Sequence, residues 1–218
     1  MIGKNSRNRW DKVYEDFKGK RFSVWKNGVT PFFADNIPFL KNRGVRKILD
    51  GGCGDGRNLL AFAKAGFETI GVDASEEACQ RARRVAKKFP KIRIVNKNLE
   101  KINYNSEFDG IICDYVMVHL KRGPLVIRNF YRALKSKGFL LIEFLSKDDP
   151  SCVEYAECYT KNGIFHKFYD LEDVKELLTG FKIIRIKKIK HKDPSHVENY
   201  PRSKPHQHDS IFVLCQKE

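Results

Sequence analysis

The residues with the clearest chemical potential lie between Arg46 and Asn58, where Ile48 and Leu49 run into Asp50 and then into glycines at 51, 52, 54 and 56. Glycine has no Cβ and takes positive φ at little cost, so such a loop can lay bare backbone against a ligand, and a helix start behind it offers free amide hydrogens. The run Leu59-Leu60-Ala61-Phe62-Ala63 supplies that helix. Further along, Asp73 closes a second apolar run, Asp114 and Tyr115 close a later one, and His119 follows. A carboxylate can take two hydroxyl protons side by side, and an imidazole can remove or orient a proton near neutral pH.

Two familiar phosphate-binding patterns fail on spacing. The dinucleotide fingerprint GxGxxG would need glycine at Arg57 when counted from Gly52, or at Leu59 when counted from Gly54. A P-loop would need Lys followed by Ser or Thr after the glycines, and none stands there. His191, His196, His206 and His208 gather near the C-terminus with Asp193, Glu198 and Asp209, in what reads as one polar loop. His206-x-His208 could present two imidazoles to an ion, but the other spacings match no common zinc pattern. No metal is assigned, and the loop is read as polar substrate rim.

These residues need elements to position them. Trp10, Val13, Tyr14 and Phe17 recur at helical spacing, predicting a helix over Asn8 to Phe17. A second helix is expected from Thr30 as N-cap and Pro31 as first residue, through Leu40. Strands are expected at Phe67 to Val72, Ile92 to Val95, Phe108 to Cys113, Phe139 to Leu145, Phe181 to Ile189 and Ser210 to Cys215, besides the one that ends in Asp50. Helices lie between them, one capped by Ser75, one from about Pro124 to Leu134 and one over Leu171 to Leu178. Ser146 to Gly163 has no clear period and reads as a loop. This alternation argues an α/β fold: a seven-stranded, mostly parallel sheet with an antiparallel last strand and helices on both faces.

The 218 residues fit one domain, with 1–44 as covering helices, 45–145 as a ligand-binding core and 146–218 as substrate-side additions. The formal charge of +15 keeps an anionic substrate or a phosphate backbone in view, beside the plainer reading of a lysine-rich solvated surface. The six cysteines include no CxxC pair, and neither a signal peptide nor a membrane span is legible. Reduced thiols in a cytoplasm fit best.

In the order of its motifs the chain resembles the class I S-adenosylmethionine-dependent methyltransferases, from about Lys47 to Lys217. That Rossmann-like family has an acid followed by alternating glycines after the first strand, here Asp50-Gly51-Gly52-Cys53-Gly54-Asp55-Gly56, a second-strand acid matched by Asp73, and a turn after the fourth strand matched by Asp114-Tyr115. Trp10-x-x-x-Tyr14, Trp25, Gly28, Pro31 and Arg57-Asn58 are similar to the tellurite-resistance and thiopurine-type small-molecule members.

The resemblance implies jobs. Gly52, Gly54 and Gly56, with Cys53 and Asn58 in the same loop, would lie along the methionine part of the cofactor, and Asp50 would accept from its ammonium group. Asp73 would take both ribose hydroxyls, with Ala74 beside it; the plainer reading of Asp73 is a helix cap, a role Ser75 already fills. Asn98 replaces the family's usual acid at the adenine amino group, or is a turn residue. Leu99 and Tyr115 would wall the adenine slot and methionine chain, or belong to the core. Trp10 and Tyr14 would cover the site or staple their helix to the core, and His206 and His208 would face substrate. His119 is the candidate catalytic base, against a packing or cofactor-contact role.

The expected activity is therefore methyl transfer from S-adenosylmethionine, with S-adenosylhomocysteine as product, to an O, N or S atom of a small-molecule acceptor. An RNA-directed methyltransferase is the second reading, although the Asn/Asp-Pro-Pro-Tyr series is missing at Cys113-Asp114-Tyr115-Val116 and no RNA-binding module is present. A cofactor-binding partner protein without catalysis is the third.

Overall fold

The computed structural model describes residues 3–15, 28–155, 164–193 and 206–218. Seven strands form one sheet in the order β3-β2-β1-β4-β5-β7-β6. They are β1 (Lys47–Gly51), β2 (Glu68–Asp73), β3 (Ile92–Asn96), β4 (Phe108–Cys113), β5 (Leu134–Leu145), β6 (Phe181–Asp193) and β7 (His206–Lys217). Strands β1 to β5 pair in parallel. β7 runs antiparallel to both β5 and β6, which leaves β6 parallel to the first five. The order reverses between β1 and β4, and the crevice at the carboxyl ends of these two strands is where an open α/β sheet takes its ligand.

The helices are α1 (Gly3–Glu15), α2 (Pro31–Asp35), α3 (Ile37–Asn42), α4 (Arg57–Lys64), α5 (Glu76–Ala86), α6 (Gly123–Ala133), α7 (Pro150–Tyr155) and α8 (Leu171–Leu177). Strand side chains alternate between faces, so apolar runs feed two cores. Ile48, Ile112, Leu141 and Phe212 pack with Phe32, Phe33, Leu40 and Phe62 from α2, α3 and α4. Leu49, Ile111, Ile142 and Val213 pack on the other face with Val126 and Phe130 of α6 and Val174 of α8. Burying one such Phe or Leu contributes about 1.5–3 kcal/mol, and this two-sided burial holds the strand ends in register.

Several expectations are corrected. Thr30 precedes the helix but makes no side-chain cap; its hydroxyl donates to Asp114 instead, and the helix breaks at Asn36 into α2 and α3. The loop expected from Ser146 contains α7, and Ser146 itself bridges to Tyr169. The polar loop expected over His191 to Asp209 is shorter, because β6 and β7 continue as a hairpin to the pair Asp193↔His206. His191, His206 and His208 thus sit on strands; alternating Lys and His on an edge pair carry no apolar signal to announce one. His196, Glu198 and Trp25 lie outside the described residues, as does Phe17 at the end of the first expected helix. Asp170 caps α8 by a full capping box, its carboxylate accepting from Asp173 N–H while the Asp173 carboxylate accepts from Asp170 N–H.

Among the described residues no helix is long and apolar enough to cross a membrane. Cys53, Cys79, Cys113, Cys152 and Cys215 are free thiols.

Candidate active site

The loop between β1 and α4 is pinned to β2. Gly52 N–H and Cys53 N–H both donate to Val72 O, at 2.7 and 3.1 Å. Gly52 and Gly54 have φ of +84° and +53°, and neither has room for a side chain: a Cβ on Gly52 would lie 2.3 Å from Val116 Cγ2, and one on Gly54 would lie 2.6 Å from the Tyr14 hydroxyl. Gly56, at φ +96°, starts α4. The Cys53 side chain turns inward against Gly71, and burial pushes its thiol well up, so only its backbone belongs to the loop surface.

Asp50, the penultimate residue of β1, is buried, and no donor reaches either carboxylate oxygen in hydrogen-bonding geometry. Burial, and next the charge of Asp114, raise its pKa well above the usual carboxylate range, with Arg57 and, more weakly, the nearby Leu59 N–H working in the opposite direction. An unpartnered buried carboxyl costs free energy, so it marks a place where something else is to be held.

Asp73 clasps both neighbouring turns. Its Oδ2 accepts from Gly54 N–H and its Oδ1 from Ser75 N–H, each at 2.9 Å. Burial raises its pKa, while the N–H groups of Ser75, Gly54 and, more weakly, Ala74 favour the charged form. The expected division of labour is present: Ser75, not Asp73, caps α5, accepting from Ala78 N–H at 3.1 Å. After β3, Asn98 caps a 3-10 turn over Leu99–Lys101, its Oδ1 accepting from Glu100 N–H at 2.8 Å. The oxygen expected to meet an adenine amino group is thereby engaged as a turn cap. Leu99 is buried in the α6-side core, near Gly51.

Asp114 faces inward. Its Oδ2 accepts from Arg57 Nη2 at 2.7 Å, Thr30 Oγ1 at 2.9 Å and Asn58 Nδ2 at 3.1 Å, while no N–H or O–H donor reaches Oδ1. Glu143 of β5 lies near Asp114, and burial followed by the Asp114 charge raises the Glu143 pKa. Glu143 also accepts from Tyr115 N–H at 2.8 Å and from Ser210 Oγ at 2.6 Å. Asn58 and Asp114, both candidates for the cofactor site, are thus hydrogen-bonded to each other beside the glycine loop. Glu143 escaped the sequence reading, although an acid interrupting the apolar run Phe139 to Leu145 was its signal.

Helix α1 lies across the crevice. Asp11 accepts from Ser75 Oγ at 2.6 Å, Arg81 donates to Tyr14 O at 2.7 Å, and buried Tyr14 packs on Ala78 of α5. Trp10 meets His119 edge to face, with ring centroids 4.8 Å apart. His119 ends a 3-10 turn, Met117–His119; its Nδ1 lies 3.1 Å from Phe165 O, a contact that requires the hydrogen on Nδ1 and leaves the partnerless Nε2 as an acceptor. Burial, then His166, lower its pKa to about 3.

Tyr115, between Asp114 and this turn, holds φ at +60°, a left-handed backbone uncommon outside glycine. Its hydroxyl is 3.0 Å from His208 Nε2, and His208 Nδ1 is 2.8 Å from Asp149 Oδ2. His206 Nε2 also approaches His208 Nε2 at 3.0 Å. Tyr115, His119, Trp10, His206 and His208 therefore share one edge with the glycine loop. Asp149, like Glu143, was missed; it sits in a polar stretch without period. No group of three His, Cys, Asp or Glu among the described residues is arranged to hold a metal ion.

Residues 49–142 match the profile of a family described as a methyltransferase domain. The uncharacterized methyltransferase YcgJ of Bacillus subtilis is 32% identical over 117 residues, 52% of this chain and 46% of that protein. The chain spans about half the length of the first curated relatives it matches. Among solved structures, the 1,6-didemethyltoxoflavin-N1-methyltransferase of Burkholderia thailandensis superposes with a TM-score of 0.72 at 17% identity, over 97% of this chain and 86% of that one. TehB from Haemophilus influenzae gives 0.66 at 19% identity, over 96% and 67%. At these identities the likeness is one of fold. The matched stretch begins at Leu49, one residue before the unpartnered Asp50, and takes in Asp73 and Asp114 at the reversal of strand order; over these residues the chain is similar to methyltransferase domains.

Proposed function

We propose that the protein transfers a methyl group from S-adenosylmethionine to an O, N or S atom of a small-molecule acceptor. The observation that carries the reading is the buried, partnerless carboxyl of Asp50 beside the glycine loop, since it fits a cationic amine such as the ammonium group of the cofactor's methionine. Asp73 suits the ribose hydroxyls, because each of its oxygens takes one backbone N–H and keeps a lone pair to spare. Gly52, Gly54 and Ala74 offer backbone along this path, and Leu99 and Tyr115 offer apolar walls. Asn98 retains its amide nitrogen as a donor towards adenine.

When bound, the cofactor's sulfonium supplies an electrophilic methyl carbon with a good leaving group. The chain's part is to align the acceptor, exclude water and receive a proton where the acceptor carries one. Trp10 and Tyr14 favour exclusion, as they cover His119 and Gly54. A cleft closed by one helix favours a compact acceptor over a nucleic acid, and the positive charge suits an anionic one. His119 is read as an orienting acceptor through Nε2, since a group with a pKa near 3 is a poor base at neutral pH.

Titration calorimetry with S-adenosylmethionine and S-adenosylhomocysteine tests the cofactor site; no measurable heat with either would sink the proposal. A screen of phenols, amines, thiols and total RNA with methyl-labelled cofactor tests the acceptor. Label in RNA alone, with RNA retained at high salt, would replace the small-molecule reading by the RNA-directed one.

A further inference from the structure

Tyr115, His208 and Asp149 form a hydrogen-bonded line that the cofactor site does not need. Asp149 is buried and its Oδ1 accepts from Ser151 N–H at 2.8 Å, while Oδ2 accepts from Asp209 N–H at 2.9 Å and faces His208 Nδ1 at 2.8 Å. Ser151 Oγ donates to it as well. Burial works against its charge, but the bonds from His208 and Ser151 hold its pKa down at about 2, so it accepts only. His208 must then carry its hydrogen on Nδ1. In the neutral ring this turns the Nε2 lone pair towards the Tyr115 hydroxyl, 3.0 Å away.

We propose that Tyr115 is a catalytic residue, the group that takes the proton of the methyl acceptor and passes its own hydroxyl proton to His208 Nε2, with Asp149 as the positioning residue that fixes the tautomer and balances the imidazolium. The inference rests on the methyltransferase reading above and adds its proton path. The acceptor's X–H bond breaks, its electron pair forms the bond to the methyl carbon, and the pair of the broken carbon–sulfur bond stays on sulfur. The proton goes to the Tyr115 oxygen as the tyrosine's own proton moves to His208, so the positive charge lost from the sulfonium reappears on the His208 imidazolium and the net charge is unchanged.

Three further observations support this. The φ of +60° at Tyr115 is a strained backbone of order 1–3 kcal/mol, and Glu143 holds it there through the Tyr115 N–H, which aims the phenol. His206 Nε2 approaches the same nitrogen of His208 at 3.0 Å and is half-buried, giving the proton a way onward. The ring of Tyr115 stands 6.0 Å from that of His119, itself covered by Trp10, so the phenol borders the enclosed part of the cleft.

The test has two arms. Ring 15N shifts of His208 in the full-length protein at pH 7.5 should show hydrogen on Nδ1 and a lone pair on Nε2, and Asp149→Asn should change that tautomer balance; hydrogen on Nε2 overturns the proposal. With an acceptor found in the labelled screen that is un-ionised at the assay pH, Tyr115→Phe and His208→Gln should lower kcat by about 10²–10⁴-fold and leave the Kd for S-adenosylhomocysteine within about twofold. The loss should shrink for an acceptor already ionised, such as 4-nitrothiophenolate. Unchanged kcat on the un-ionised acceptor, or an equal loss on both, overturns it. Weakened S-adenosylhomocysteine binding in Tyr115→Phe overturns it in favour of a cofactor wall. If S-adenosylhomocysteine binds but the wild type methylates nothing, the acceptor reading fails, and the tautomer arm alone decides the relay.

Discussion

The indole of Trp10 and the imidazole of His119 stand edge to face, 4.8 Å between ring centroids, joining the first described helix to the turn after β4. Burial is the main reason that the His119 pKa lies near 3. In Trp10→Ala the ring is rehydrated, and its pKa should rise by at least one unit in an NMR titration. Linkage gives the sign: a folded-state pKa below the unfolded value of about 6.5 stabilises the protein above that pH, and the stability drains away as pH falls towards 3. Trp10→Ala should therefore lose less stability than the wild type between pH 6 and 4. An unmoved titration would show that other groups provide the cover.

Asp50→Asn should raise the melting temperature at pH 7.5 while weakening binding of S-adenosylmethionine. The Asp50 pKa is raised in the fold, by burial and then by Asp114, so its ionisation opposes folding above that raised value and ceases to matter below the unfolded value of about 3.8. A gain of about 1–2 kcal/mol at neutral pH, of the kind seen when a site is relieved of a functional charge, should fade towards pH 4. Scanning calorimetry at the two pH values decides it, and a lower midpoint at pH 7.5 would contradict the assignment.

Asp73→Ala removes an acceptor that holds both Gly54 and Ser75. Loss of charge-assisted bonds to ribose should weaken S-adenosylhomocysteine binding by roughly 2 kcal/mol, about 30-fold. Titration calorimetry reads this directly, with circular dichroism to show that the fold persists. Unchanged affinity would move the ribose elsewhere.

Gly54→Ala adds a Cβ at 2.6 Å from the Tyr14 hydroxyl, on a backbone at φ +53°. The left-handed strain alone costs about 1–2 kcal/mol. Tyr14→Phe removes the hydroxyl and should relieve the remainder, so the double variant should be more stable than the sum of the two single changes. Strict additivity in urea melts would mean that Tyr14 yields freely and α1 is not seated on the loop.

The sheet and its cofactor edge were legible because both are written in local patterns. Apolar runs alternating with capped helices gave all seven strands, and the glycine spacing with Asp50 and Asp73 located the loop. What stayed hidden depends on residues far apart in sequence. Glu143 reaches Tyr115 and Ser210, and Asp149 reaches His208, through strand pairing that no window around either acid contains. Thr30 precedes Pro31 and so has the sequence context of a cap, whereas the Asp114 carboxylate, brought across by the fold, is the stronger acceptor for its hydroxyl. The hairpin of β6 and β7 was under-read for a different reason: its outer turns are lysine and histidine, and a half-exposed pair at a sheet edge does not need apolar residues to persist.

Glu143 sits on β5 between Ile142 and Phe144, whose side chains belong to the α6-side core, and is paired with Phe212 of β7. Side chains alternate along a strand, so a slip of one residue in that pairing would exchange the faces of all three and take the acid away from Tyr115 and Asp114. The core's own alternation is thus a proofreader for the cleft: a chain that misaligns β5 forfeits the bond from Tyr115 N–H to Glu143. Ligand binding would accordingly count correctly registered molecules in a refolded sample, a finer standard than secondary-structure content can give.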